Sequence, residues 1–249
     1  MEKTKFELLK EKYGNFSSFA IWPNEKSVDD LTIFEDSKTL ERLNEDFIIV
    51  ALNPAKGKRP EEEKPVKLKN FHSDYYLQKD YKLCHALIGT VLWGSYLTDL
   101  FKSFRTSDSE ELRLMLKDPE RSNDLKKDIE SFLDEIKIIN ENATLVAIGS
   151  ETYRQLKNLA KTLNLKNRII KIIHYAHHYN GMHDPEIYRK SVLAVIENNL
   201  GAKQSHKVLL IFFFFSSFLL LFFPLVHKAD WINHRMSSHD FLIWIFHEV

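Results

Sequence analysis

The sequence predicts an α/β protein, a three-layer α/β/α sandwich around a four-stranded, mainly parallel sheet, with an apolar tail appended at the C-terminus. Three observations predict it. Residues 46–52, Asp-Phe-Ile-Ile-Val-Ala-Leu, form an unbroken apolar run rich in β-branched residues, as expected of a strand buried on both faces. Strand-like runs then alternate with helical ones, which favours parallel strands joined by crossover helices. Finally, residues 208–226 carry no charge and are dominated by Phe and Leu, unlike anything before Gly201.

Taken in order, residues 1–15 are expected to be a helical or flexible N-terminal segment. Met1 to Lys12 mix charged and apolar residues with no continuous apolar core, so they do not make a signal peptide. The α/β domain is expected over 16–201. Its first strand, 46–52, stops at Asn53-Pro54. The charge-rich stretch 56–69 (with Glu61, Glu62 and Glu63) is expected to be an exposed loop punctuated by Pro60 and Pro65. Residues 81–91 have helical character, and 94–98 form a short second strand. Leu125, Ile129, Phe132, Leu133 and Ile136 recur at i, i+4, i+7, i+8 and i+11, the pattern of an amphipathic helix. Residues 143–148 are a third strand closed by Gly149-Ser150, with a helix over 151–163 behind it. A fourth strand covers 168–173. Asp184-Pro185 supplies a cap and first turn for a last helix that ends at Gly201.

Composition narrows the function. The chain has 249 residues, 44% hydrophobic and 28% charged, enough for a core and a solvated surface. Lys plus Arg and Asp plus Glu are both 35, so bulk charge does not hold this protein to nucleic acid, although a local basic groove is compatible with it. Cys84 is the only cysteine, which excludes an intrachain disulfide framework and a cysteine-ligated cluster and suits a reducing cytoplasm. The run 208–226 has the length of a membrane span, which needs about 20 apolar residues. It is also readable as an interfacial segment broken at Pro224, as a buried core helix, although it has no polar face, or as an extension foreign to the domain. A cytoplasmic location is expected, with membrane anchoring if the tail inserts; no obligate protein partner is evident.

In such a sheet the functional residues gather at the carboxyl ends of the strands. Those ends are Ala51-Leu52-Asn53-Pro54-Ala55, Tyr96-Leu97-Thr98-Asp99-Leu100-Phe101-Lys102, Ala147-Ile148-Gly149-Ser150-Glu151 and His174-Tyr175-Ala176-His177-His178. Singly, each has a structural explanation: a turn, a cap, a strand-to-helix joint, a hydrogen-bonded histidine. In this order they resemble the motifs of the uracil-DNA glycosylase superfamily, over roughly residues 16–200, with Asn53 in the manner of its Asn-bearing mismatch-specific and single-strand-selective branches. The resemblance implies Asn53 as the residue that positions the attacking water and His174 as the donor to the departing base. It implies Phe71 as the stacking face, Asp99 as the reader of the base edge, and Leu52 as a further wall of the base pocket. Lys56, Lys58, Arg59, Lys102, His177, His178, Tyr179 and Asn180 would meet the nucleic acid. The expected partner is DNA, single- or double-stranded, or another nucleobase-containing ligand, and no cofactor is expected.

The chain departs from that pattern at several places. Ala51 and Ala55 replace glycines, Tyr175-Ala176 replaces Pro-Ser, and Asp99 stands where an Asn is usual. An ionised Asp99 only accepts, so it would select an exocyclic amine or imino N–H over a carbonyl. Two other readings stay open. One is a non-catalytic or membrane-tethered nucleobase-binding module. The other is a metal site built from His174, His177, His178, His183 and Asp184, with His72 and Asp74 in reserve, although this spacing is not a familiar zinc pattern.

Overall fold

Strand β2 (Asn44–Ala51) occupies the middle of the sheet, and its residues 47–51 are all buried. That is the physical reason for its unbroken apolar run: a strand with neighbours on both edges and helices on both faces has no side that favours polar residues. The computed structural model describes residues 1–55, 66–74 and 78–201. The remaining strands are β1 (Ser17–Phe19), β3 (Ser95–Asp99), β4 (Thr144–Ile148) and β5 (Ile169–Ile172). They lie in the order β1-β3-β2-β4-β5. The pairs β3·β2, β2·β4 and β4·β5 are parallel, and β1 is antiparallel to β3. Among the described residues the sheet therefore has five strands and not the four expected. The addition is a three-residue edge strand, Ser-Ser-Phe, too short to show an alternating pattern.

The helices are α1 (Lys3–Tyr13), α2 (Ser37–Glu41), α3 (Asp80–Leu87), α4 (Ser109–Met115), α5 (Ser122–Ile139), α6 (Ser150–Leu163) and α7 (Pro185–Leu200). Alternation along the strands sorts the core onto two faces. Ile48, Val50, Tyr96, Leu145 and Ala147 pack with Phe6 and Leu9 of α1, Phe132 and Ile136 of α5 and Leu156 of α6. Ile49, Ala51, Leu97, Val146, Ile148 and Ile172 pack with Leu83 and Ala86 of α3 and Tyr188 and Val192 of α7. An isolated helix of α1's length is marginal in water. Burial of Phe6 and Leu9, each contributing about 2 kcal/mol, docks it onto the sheet. The N-terminal segment is thus part of the same compact unit as the sheet.

One expected boundary moved for a local reason. The helix expected over 81–91 ends at Leu87, just before Gly89 adopts a φ of 72°. Helix α5 was located by its apolar period, but its buried face also carries two acids, Asp128 and Glu135. At the far end, Asp184 caps α7 by accepting from the N–H groups of Glu186 and Ile187, as Asp-Pro implies. Among the described residues no helix is long and apolar enough to cross a membrane. The run 208–226 lies outside them.

Candidate functional site

The four parallel strands all end on one edge of the sheet. From there the chain passes to α3 on one face after β2 and to α4 and α5 on the other side after β3; functional residues of such sheets gather at this edge. Asn53 follows β2. Its Nδ2 donates to the carbonyl oxygens of Phe104 and Thr106, both at 2.8 Å, and lies 3.2 Å from that of Pro54. The N–H groups of Leu100, Phe101 and Thr106 bond back to the carbonyls of Ala51, Leu52 and Pro54. Asn53 therefore stitches the connection after β2 to the one after β3, and a water held by its side chain would be held through Oδ1. Leu52 is half-buried beside it, against the α1–α5 side of the core.

Asp99 ends β3 opposite Ala51, with its side chain 2% exposed. Alternation along β3 turns Thr98 toward α5 and Asp99 toward the other face. Asn70 donates from Nδ2 to Asp99 Oδ2 at 2.8 Å and to the carbonyl of Phe16 at 2.7 Å. Burial pushes the Asp99 carboxyl up to about 7; the Asn70 bond and the more distant Lys102 and Arg105 work against that rise, and Glu135 adds to it. Phe71 comes next in the chain after Asn70. It adopts a left-handed φ of 65°, a conformation that costs a non-glycine residue about 1 kcal/mol or more. Its ring is buried in the apolar cluster with Trp22, Leu83 and Tyr175, and Trp22 Nε1 donates to its carbonyl at 3.2 Å. The ring is thus a wall of the core beneath the edge and does not project from it.

His174 follows β5. Gly149, at the end of β4 with a φ of 90°, brings its backbone so close that a Cβ there would lie 3.4 Å from His174 Cβ. The Ala176 N–H donates to His174 Nδ1 at 3.1 Å, which leaves the proton of the neutral ring on Nε2. Burial of much of the ring, then Lys82 and His177, hold the imidazole down to about 4, while part of the side chain stays exposed. The ring stacks on Tyr175, centroids 4.8 Å apart. Burial first, then Asp80 and Asp99, push the Tyr175 phenol well up, and its hydroxyl hydrogen-bonds Asp80. Asp80 also accepts from the Ser73 N–H at 2.9 Å. Asp99, Asn70, Phe71, Asp80, Tyr175 and His174 thus form one connected group. Asn53 stands two strands away from the β5 end, about 10 Å at the usual interstrand spacing.

His177, His178, Tyr179 and Asn180 make an exposed loop, with Asn180 at a left-handed φ of 55° and the rings of His178 and Tyr179 4.3 Å apart. Its anchor is Lys82 of α3, whose buried ammonium donates to the carbonyls of His177 at 3.1 Å and Met182 at 2.5 Å and lies over the Tyr188 ring. Lys102 does not face the nucleic acid as the sequence implies. It is 4% exposed, and its ammonium is spent on Glu135 Oε2 at 2.7 Å and the Asp99 carbonyl at 2.8 Å, so it does not meet phosphates. Tyr96 and Thr98 donate to the other oxygen of Glu135 and complete a buried network. Lys56, Lys58 and Arg59 lie outside the described residues. Among the described residues no group of three or more His, Cys, Asp or Glu is placed to hold a metal ion. His72, one of the reserve ligands, is wholly buried with both ring nitrogens against the carbonyls of Phe19 and Val28. A shallow cavity of about 440 Å³ opens at the opposite, amino-terminal edge of the sheet, lined by Asp46, Asn140, Asn142 and Arg168 among others, and includes none of the residues singled out here.

Asn70, Asp80 and Lys82 were not anticipated. Asn70 had a signal, its position beside Phe71. The partners of Lys82 lie about a hundred residues downstream, and nothing local announces them. Searches against protein families, curated proteins and solved structures give no match to this chain.

Proposed function

We propose that this chain is a uracil-DNA glycosylase-like protein, built as a three-layer α/β/α domain, that hydrolyses the N-glycosidic bond of a base extruded from DNA. The observation that carries the reading is the pairing of two groups at one sheet edge. One is a neutral histidine whose Nε2–H is left as its donor, and the other is a buried acid three strands along the same edge, whose charge acts on the Tyr175 ring stacked on that histidine. Enzymes acting on a base take it out of the stack and read its edge by hydrogen bonds inside the protein. Cleavage breaks the bond between the sugar C1′ and the base nitrogen, and the electron pair leaves with the base. Water adds to C1′ and releases a proton to solvent. His174 Nε2–H donates to the departing base and stabilises its developing negative charge. Asn53 cannot ionise, so through Oδ1 it orients the water without deprotonating it. The loop 177–180 supplies rings and imidazoles that meet the strand.

One observation favours a non-catalytic nucleobase-binding protein on the same frame: the Asn53 amide is already engaged by two loop carbonyls. Strand cleavage at abasic sites, assayed with oligonucleotides carrying uracil, hypoxanthine, xanthine or mismatched thymine, separates the two. A glycosylase releases at least one of these bases; a binding module retains affinity and releases none.

A further inference from the structure

Three contacts hold the His174 ring. Gly149 approaches it from the end of β4, where an added Cβ would lie 3.4 Å from His174 Cβ and 3.6 Å from Cδ2. The Ala176 N–H donates to Nδ1 at 3.1 Å. The Tyr175 ring lies along the imidazole face, with centroids 4.8 Å apart and planes 22° apart. Together they set the position, the tautomer and the plane of the ring, and leave Nε2 without a hydrogen-bond partner among the described residues. The Tyr175 ring is held in turn. It is buried, and its hydroxyl hydrogen-bonds Asp80, which is buried at the start of α3 and accepts from the Ser73 N–H at 2.9 Å. The resemblance assigns this pair no role, because Tyr175 stands where the family pattern has a proline.

We propose that Tyr175 is a positioning residue for His174 and that Asp80 acts through it, the carboxyl fixing the phenol and the phenol ring fixing the plane of the imidazole. The inference rests on the glycosylase-like reading, in which His174 Nε2–H donates to the departing base. A donor aimed at charge that develops only in the transition state is effective when it is aligned beforehand, since turning it during the reaction consumes part of the stabilisation. Misplacing a reacting group by about 1 Å can cost about 10²-fold in rate. An aliphatic side chain at position 175 would fill the space without setting a plane. Helix α3 then bears on His174 twice, through Asp80 at its first residue and through Lys82 two residues later.

The test is single-turnover base release from a single-stranded oligonucleotide carrying whichever of uracil, hypoxanthine, xanthine or mismatched thymine the protein releases fastest. Measured over a range of protein concentration, it separates the maximal rate from the half-saturating concentration. Tyr175→Leu lowers the maximal rate by about 10²-fold and leaves half-saturation within a few-fold. Tyr175→Phe keeps the ring, loses only its tie to Asp80, and recovers most of that loss. Asp80→Ala slows release by the same factor as Tyr175→Phe, and the double variant is no slower than either, as expected of two groups acting in series. The NMR signals of the His174 ring protons, which need no base release, carry the ring-current shift of a stacked aromatic in the unmodified protein and in Tyr175→Phe, and lose it in Tyr175→Leu. Equal maximal rates in Tyr175→Leu and the unmodified protein, or a loss confined to half-saturation, overturn the inference and leave the glycosylase-like reading standing. Tyr175→Phe as slow as Tyr175→Leu, or ring-proton shifts that do not change in Tyr175→Leu, overturn the role of the ring. Losses that multiply in the double variant overturn the role of Asp80. No release of any of these bases by the folded unmodified protein overturns the glycosylase-like reading, and the inference with it.

Discussion

Lys82 Nζ lies 3.1 Å from the carbonyl oxygen of His177, so a lysine of α3 holds in place the loop that follows β5. The same ammonium disfavours protonation of His174. Replacement by Met keeps the stem and removes both effects, leaving two carbonyls without their donor at about 1–3 kcal/mol each. The His174 imidazole in Lys82→Met titrates at higher pH than in the unmodified protein, as followed by NMR of its ring protons, and the 177–182 amides exchange faster. An unchanged titration shows that Lys82 does not act on His174.

The Lys102–Glu135 pair is buried on both sides. Breaking a buried pair from one side typically costs about 3–5 kcal/mol, because the remaining charge has no compensation. Lys102→Met and Glu135→Leu are each expected to lose that much in denaturant unfolding, and the double variant to recover most of it. Additive losses contradict this coupling.

His72 is held down to about 4 by burial, against an ordinary value of 6.5. Its folded-state value is the lower one, so the unfolded chain binds the proton more readily. The corresponding stability is present above pH 6.5 and is lost as pH falls through 6.5 toward 4. Relative to His72→Gln, the unmodified protein should lose on the order of 3 kcal/mol across that window. Equilibrium unfolding of the two proteins at pH 7 and pH 4 measures it; parallel pH profiles contradict it.

Phe71 was expected to be a stacking face, and its ring is packed among Trp22, Leu83 and Tyr175. Phe71→Ala should therefore show first as lost stability, about 3–5 kcal/mol for a buried Phe. Any loss of base affinity, about 1–3 kcal/mol for a stacking ring, comes on top of that. Thermal unfolding and oligonucleotide titration of the same variant separate the two. Unchanged stability would place the ring outside the core.

How much of this was legible in the sequence depends on how local each feature is. Strand β2 announced itself because a strand buried on both faces is apolar throughout. Helix α7 did so because Asp184-Pro185 and Gly201 mark its ends. Strand β1 did not, because three residues hold no period. Lys102 was assigned to the surface because lysines are seldom buried unless paired, and its partner Glu135 sits 33 residues on, on a helix whose acids look solvated. The strand ends carrying Asn53, Asp99 and His174 were legible from order alone. That Asn53 is tied to the loop after β3, and that Asp99 is a buried acid beside an asparagine, depends on contacts 29 to 53 residues apart along the chain.

The central claim, that His174 assists release of an extruded base, is tested most directly by single-turnover base release from a uracil-containing single strand by the unmodified protein and by His174→Ala. Removing a donor of this kind costs about 10²–10³ in rate. His174→Ala should release uracil slower by that factor, while its thermal unfolding and its affinity for an abasic-analogue strand stay within a few-fold of the unmodified protein. Equal rates in the two proteins, or no release of uracil, hypoxanthine, xanthine or mismatched thymine by the folded unmodified protein, would contradict it.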